Sequence, residues 1–426
     1  MKKVLIITYY WPPAGGPGVQ RWLKFVKYLP EYGVKPIVYC PKNPTYPILD
    51  DNLSAEVDPN VTILKKKIVE PYGLAGVFSK NSLKKISSGI IPSERKQTLI
   101  ERMALWVRGN FFIPDARFLW VRPSVSFLQK YIFDHNIETV ITTGPPHSLH
   151  LIGMKLKKKF PDINWIADFR DPWTTIGYHK SLKLSGFADN KHKNLEEKVL
   201  QTADQIIVTS ISTKSEFGEL TTQPIHVITN GYDIKKAENI ILDSKFSIAH
   251  IGSLLSQRNP KILWQVLSEM ILGISGFADK LEIKLIGVVS REIIETISFY
   301  NLSAYTEIVG YVSHDEAVVF QQKSQVLLLV EINAPETKSI IPGKLFEYMV
   351  SGRPIIAIGP QGSDFESIIE ETNVGEFFTY ADKERLKEVL ISYYNLYLQD
   401  NLHSQAIGIE KYSRRNLTRQ LVDLLN

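Results

Sequence analysis

Short apolar runs alternate with longer amphipathic stretches along the whole chain. In the first half the runs fall at 3–8, 35–39, 139–143, 164–167 and 205–209, with a helix expected after Gly18. In the second half they fall at 247–251, 282–286, 306–309, 325–330 and 354–358, separated by segments long enough for helices. Continuous apolar runs separated by helical stretches are the pattern of parallel strands covered on both faces. The chain is therefore expected to form two α/β domains, each a doubly wound parallel sheet. The sequence Thr229-Asn230-Gly231-Tyr232-Asp233 supplies a turn, and the polar stretch 234–245 follows it. This places a first domain at 1–229, a linker at 230–245 and a second domain at 246–405.

A length of 426 residues, 44% of them hydrophobic and 22% charged, suits two packed domains and excludes a fibre or a disordered tail. Cys40 is the single cysteine, so the chain has no internal disulfide and no cysteine-rich zinc site, as expected of a cytoplasmic protein. No run approaches the ~20 apolar residues of a spanning helix. The opening MKKVLIITYYW reads as a buried strand rather than a signal peptide, because its apolar run is short and meets Pro12-Pro13.

The net charge of +5 is unevenly placed, with thirteen Lys/Arg against four acids between Val61 and Lys130. Leu99, Met103 and Trp106 lie at helical spacing among these cations, with Ile100, Val107, Phe111 and Phe112 nearby. A basic, aromatic segment over 61–130 suits an anionic membrane surface; equally, its apolar stripe can pack on its own domain. No nucleic-acid motif accompanies the charge, so nucleic acid is not an expected partner.

In parallel sheets ligands collect beyond the carboxyl ends of strands, so chemistry is sought there, and two domains facing each other enclose a cleft between such ends. The loop Pro12-Pro13-Ala14-Gly15-Gly16-Pro17-Gly18 leaves backbone N–H groups open to a diphosphate at a helix start, or is simply a tight turn. It matches neither the dinucleotide fingerprint nor a P-loop. Gly252 and Ser253 end a later strand, and Arg258 precedes Asn259-Pro260, where it can meet a phosphate. Gly343 opens a segment in which Lys344 and Glu347, three apart, share one helix face; they can address one ligand or form a surface ion pair. Gly144-Pro145-Pro146-His147 and Asp168-Phe169-Arg170-Asp171 also follow strands. His147 is a catalytic or a structural histidine, and Asp168, Arg170 and Asp171 either bind an acceptor or brace their loop. No metal-ligand spacing is present.

These motifs together resemble the nucleotide-sugar glycosyltransferases of the GT-B fold, specifically family 4, over nearly the whole chain. The resemblance rests on the Pro-Pro-x-Gly-Gly-x-Gly loop, Gly-Pro-Pro-His-Ser at 144–148, Asp-Phe-Arg-Asp-Pro-Trp at 168–173, Asn-Gly-Tyr-Asp at 230–233, and Lys-Leu-Phe-Glu-Tyr followed by Ser-Gly-Arg-Pro. It implies retaining transfer from a nucleoside-diphosphate sugar to a glycan or lipid-linked acceptor in bacterial surface-polysaccharide assembly, with no metal or other cofactor. It implies that the second domain holds the nucleotide and the first the acceptor, and that a last helix over about 406–425 packs back on the first domain. Carried onto this chain, Glu347 holds the ribose, Arg258 and Lys344 the diphosphate, Gly16 the phosphate side of the donor, and His147 the transferred sugar. Family members commonly carry a second glutamate eight positions before the ribose-binding one; here that position is Ser339 and the nearest acid is Glu336. Either Glu336 or a backbone amide of 340–343 takes the sugar contact, or transfer is weak. The alternatives to a transferase are a GT-B sugar-nucleotide 2-epimerase and a silent sugar-nucleotide-binding protein.

Overall fold

The computed structural model describes residues 1–70, 99–180, 182–233 and 240–425. The chain divides into two units, Met1–Asn230 with Arg414–Asn426, and Gly231–Ser413. In the first, strands β1 (Lys2–Ile7), β2 (Val34–Pro41), β3 (Thr62–Lys66), β4 (Thr139–Gly144), β5 (Asn164–Phe169), β6 (Gln205–Val208) and β7 (Ile225–Val227) form one sheet. Its order is β3-β2-β1-β4-β5-β6-β7 and every pairing is parallel. In the second, β8 (Phe246–Ile251), β9 (Leu281–Ile286), β10 (Thr306–Gly310), β11 (Val326–Val330), β12 (Ile355–Ile358) and β13 (Gly375–Phe378) pair in the order β10-β9-β8-β11-β12-β13, again all parallel.

Each sheet is buried on both faces, which is why its strands read as continuous apolar runs. Leu5 and Ile7 enter one core of the first unit while Val4 and Ile6 enter the core on the other face. Leu328 and Val330 divide from Leu327 and Leu329 in the same way in the second unit. Both sheets reverse direction beside their first strand: the chain runs outward through β2 and β3, or β9 and β10, and returns on the other side of β1 or β8. This switch point opens a crevice between β1 and β4, and another between β8 and β11.

The boundaries differ from the expected ones. The last helix spans Arg414–Asp423 rather than beginning near 406. Its Leu417 and Leu421, with Leu425 beyond, join the core of Trp22 and Val26 in the first unit. The residues just before it belong to the second unit, where Gly408 turns left-handed, Phe346 packs on Tyr412, and Tyr232 N–H bonds Tyr412 O at 3.1 Å. Part of the expected linker is likewise docked: Asp243 meets Lys284 at 2.8 Å and its carbonyl accepts from Gln325 at 2.7 Å. Among the described residues, no helix is long and apolar enough to cross a membrane.

Candidate active site

The crevice of the second unit gathers most of the residues singled out from the sequence. At the end of β8, Gly252 adopts φ +119°, and a Cβ there would lie 2.8 Å from Lys344 Nζ. Lys344 and Glu347 lie on the helix Gly343–Met349, whose Leu345, Phe346, Tyr348 and Met349 are buried. Tyr348 fixes that helix to β8, accepting from Ile251 N–H at 3.0 Å. Lys344 and Glu347 are thereby left half-buried on the remaining face. Glu347 Oε2 accepts from Gln321 Nε2 at 3.0 Å, leaving Oε1 for a ligand.

Arg258 arrives on the short turn Ser256–Arg258. Its Nε and Nη2 donate to Glu331 Oε1 at 3.1 and 2.9 Å, and Nη2 reaches Oε2 at 3.2 Å. Glu331 directly follows β11 and is 2% exposed, while the arginine side chain is 30% exposed. The forked pair fixes the guanidinium plane and leaves Nη1 without an acceptor among the described residues. Lys344 also contacts His250, with Nζ 3.3 Å from Nε2. Burial is the main cause that lowers the Lys344 pKa to about 8, and Arg258 adds to it, opposed by Glu331 and Glu347. Glu331, His250, Gln321 and Gly287 were not singled out from the sequence. Gly287, also at φ +119°, ends β9 so close that a Cβ would lie 2.5 Å from Gly252 O. Ser253 and Gly343 are exposed at the rim, and Glu336 lies half-buried in the turn Pro335–Thr337.

The first unit places its motif residues differently. Asp168 is fully buried and takes Arg21 Nη2 at 2.8 Å, Trp22 Nε1 at 2.8 Å and Thr143 Oγ1 at 2.8 Å. Burial alone would raise its pKa, but the charge of Arg21 and these three donors outweigh that and hold it below the usual range. Asp168 is thus a brace joining β4, β5 and the helix Pro17–Tyr28, not a contact for an acceptor. Arg170 is also structural: Nε donates to Gly144 O at 3.3 Å, Nη2 donates to Pro145 O, and the guanidinium lies where a Cβ on Gly18 would stand. Asp171 is half-buried, as Arg170 is, with burial pushing its carboxyl above the usual range against the pull of Arg170. Gly15 is explained by packing, since its N–H bonds Ile48 O at 2.9 Å and a Cβ would strike Ile48 at 2.9 Å. Gly16, at φ +90°, caps the helix Pro17–Tyr28.

His147 is 3% exposed, stacked on Trp173 with ring centroids 5.0 Å apart, and among the described residues neither ring nitrogen has a partner. Burial, then the neighbouring His150 and Arg170, hold it neutral with a pKa well below 6.5. Its position is set by Asp115, which accepts from Ser148 N–H at 2.8 Å and Ser148 Oγ at 2.9 Å at the start of the helix Ser148–Lys159.

No family model and no curated protein sequence matches this chain. Solved structures do. The sucrose-phosphate synthase of Thermosynechococcus elongatus superposes with a TM-score of 0.61 at 14% identity, over 100% of this chain and 98% of that one. A glycosyltransferase from Rickettsia africae ESF-5 gives 0.60 at 14% identity, covering 99% and 97%. A Listeria monocytogenes protein assigned as a UDP-N-acetylglucosamine 2-epimerase gives 0.54 at 12% identity, covering 100% and 96%. The chain has the GT-B fold, two Rossmann-like units each built on a parallel sheet.

Proposed function

We propose that this protein is a glycosyltransferase that moves a sugar from a nucleoside-diphosphate donor to a glycan or lipid-linked acceptor in cell-surface polysaccharide synthesis. The observation that carries the reading is Lys344 Nζ held against the Cβ-less face of Gly252, in the β8–β11 crevice beside Arg258 and Glu347. Here the growing negative charge of a departing nucleoside diphosphate meets Lys344 and Arg258 Nη1, while Glu347 Oε1 accepts from the ribose. The transfer is metal-independent in this reading, because fixed cations do the work a divalent ion would do, and it is retaining, as the resemblance to family 4 implies. In the first unit the His147 ring is packed against Trp173 with both nitrogens buried, and Asp171 is the carboxylate left for the acceptor.

Preorganised donors of this kind are worth about 3–4 kcal/mol each, so Lys344→Ala should slow transfer on the order of a hundredfold or more. Arg258→Ala alone would strand buried Glu331, so the informative variant is Arg258→Ala with Glu331→Gln, expected to be similarly slow. Wild-type turnover in both would refute the leaving-group assignment.

The epimerase reading draws support from the Listeria neighbour. Incubation with donor alone separates the two, since an epimerase releases an altered free sugar without any acceptor. A membrane-proximal acceptor draws support from the helix Leu99–Phe111. It turns Leu105 and Gly109 inward and exposes Met103, Trp106, Val107 and Phe111 along one outer stripe, with Arg102 and Arg108 at either side by helical position. Arg117 is buried and paired with Glu70 at 3.2 Å, and Lys80, Lys84, Lys85, Arg95 and Lys96 lie outside the described residues. The protein then works peripherally at the cytoplasmic face of an anionic membrane. Trp106→Ser with Phe111→Ser should abolish flotation with anionic liposomes; unchanged flotation removes this part of the reading.

A further inference from the structure

The strands β8 and β11 pair at Ile248↔Val326 and Ala249↔Leu327, and their ladder stops there. At the next position the side chain of His250 continues the bonding, with Nδ1 3.0 Å from Leu328 O. A carbonyl only accepts, so Nδ1 carries the hydrogen and Nε2 presents a lone pair. That lone pair faces Lys344 Nζ at 3.3 Å. His250 is 1% exposed, so its ring is locked by packing as well as by the Leu328 bond.

We propose that His250 is a positioning residue for the donor diphosphate: it anchors one hydrogen of the Lys344 ammonium and so aims the other two across Gly252 into the crevice. The inference rests on the proposed donor site and assigns it a member outside the ligand's reach. The charged or titratable groups facing Lys344 are His250, Arg258, Glu331 and Glu347. Those facing His250 are Lys344 and, further off, Arg258, with the backbone of Ser253 also beside the ring; burial is the main cause that keeps its imidazole neutral, and the Nδ1 bond to Leu328 O makes Nε2 the acceptor. Lys344 has a lowered pKa of about 8, so nucleoside-diphosphate affinity should fall above that pH as the ammonium is lost.

The test is calorimetric binding of UDP and GDP between pH 6.5 and 9.5. His250→Gln keeps an acceptor near the place of Nε2 and should leave the alkaline fall where it is. His250→Asn keeps only a donor for Leu328 O; the fall should move down by roughly one pH unit, with on the order of tenfold weaker binding at pH 7.5. A folded His250→Asn protein with a wild-type fall overturns the proposal, since a purely structural histidine would change stability alone. Imidazole nitrogen NMR of the unmutated chain provides an arm that does not depend on the variants folding. It should show Nε2 unprotonated and shifting as Lys344 titrates, and a ring protonated at Nε2 overturns the proposal. If the wild type binds no nucleoside diphosphate, the donor-site reading fails, while the NMR arm still decides the His250–Lys344 contact.

Discussion

Burial and the nearby guanidinium of Arg258 hold Lys344 at a pKa of about 8 against an ordinary 10.5. Between those two values the unfolded chain binds a proton that the folded chain has released, so stability rises with pH across that window. Below pH 8 the full deficit is present. Lys344→Met should therefore stabilise the protein at pH 7 by roughly 1–3 kcal/mol. Chemical denaturation at pH 7 and pH 10.5 checks this, and the gain should shrink at the higher pH. A variant more stable yet inactive is the signature of a residue kept for function. Gly252→Ala is expected to do the opposite, because φ +119° disfavours any Cβ and the methyl would stand 2.8 Å from Lys344 Nζ. It should weaken nucleotide binding at least tenfold and lower stability by about 1–2 kcal/mol. Residue-scale roles were the least legible from the sequence. Arg258 and Glu331 lie 73 positions apart, Lys344 and His250 94, and Arg21 and Asp168 147. No local spacing reports such pairs, so His250 passed as a member of the buried strand 247–251, Glu331 drew no notice one residue past the strand 325–330, and Asp168 was read as an acceptor contact or a loop brace.

At the scale of elements, burial on both faces made the central strands readable, because their apolar runs are unbroken. Three strands gave no such signal: β3, β7 and β13, whose segments are Thr-Ile-Leu-Lys-Lys, Ile-His-Val and Gly-Glu-Phe-Phe. All three lie at sheet edges, where one side of the strand is open and polar side chains are tolerated. The helix Ser148–Lys159 shows a second kind of long-range dependence. Its N-cap, His147, makes no side-chain cap, and Asp115 supplies the acceptor from a distant loop. Asp115→Ala should cost about 1–2 kcal/mol and perturb His147 by loosening the first turn. Thermal melts and the imidazole signal of His147 check the two parts separately.

For the whole molecule, the telling feature is that the first unit is discontinuous in sequence. Arg414–Asp423 completes a core begun by residues 4–53, and Lys2 Nζ donates to Leu425 O. A chain ending at Ser413 loses Leu417, Leu421 and Leu425 from that core, a loss on the order of 5 kcal/mol or more. Calorimetric melting of the truncated chain should show the first unit unfolding at markedly lower temperature. Nucleotide binding should persist, since Gly252, Arg258, Lys344 and Glu347 all lie within Gly231–Ser413. The two-sheet plan was legible because it follows from repeated local patterns; the ownership of residues 406–413 was not, because it depends on contacts of Tyr412 with Tyr232 and Phe346.

The proposed function stands on the β8–β11 crevice holding a nucleoside diphosphate through Lys344 and Glu347. Its most direct test is isothermal calorimetry of UDP and GDP against the wild type, Lys344→Ala and Glu347→Gln. At least one nucleotide should bind the wild type, and each variant should bind it at least tenfold more weakly. Absence of binding to the wild type, or equal affinity in all three proteins, would contradict it.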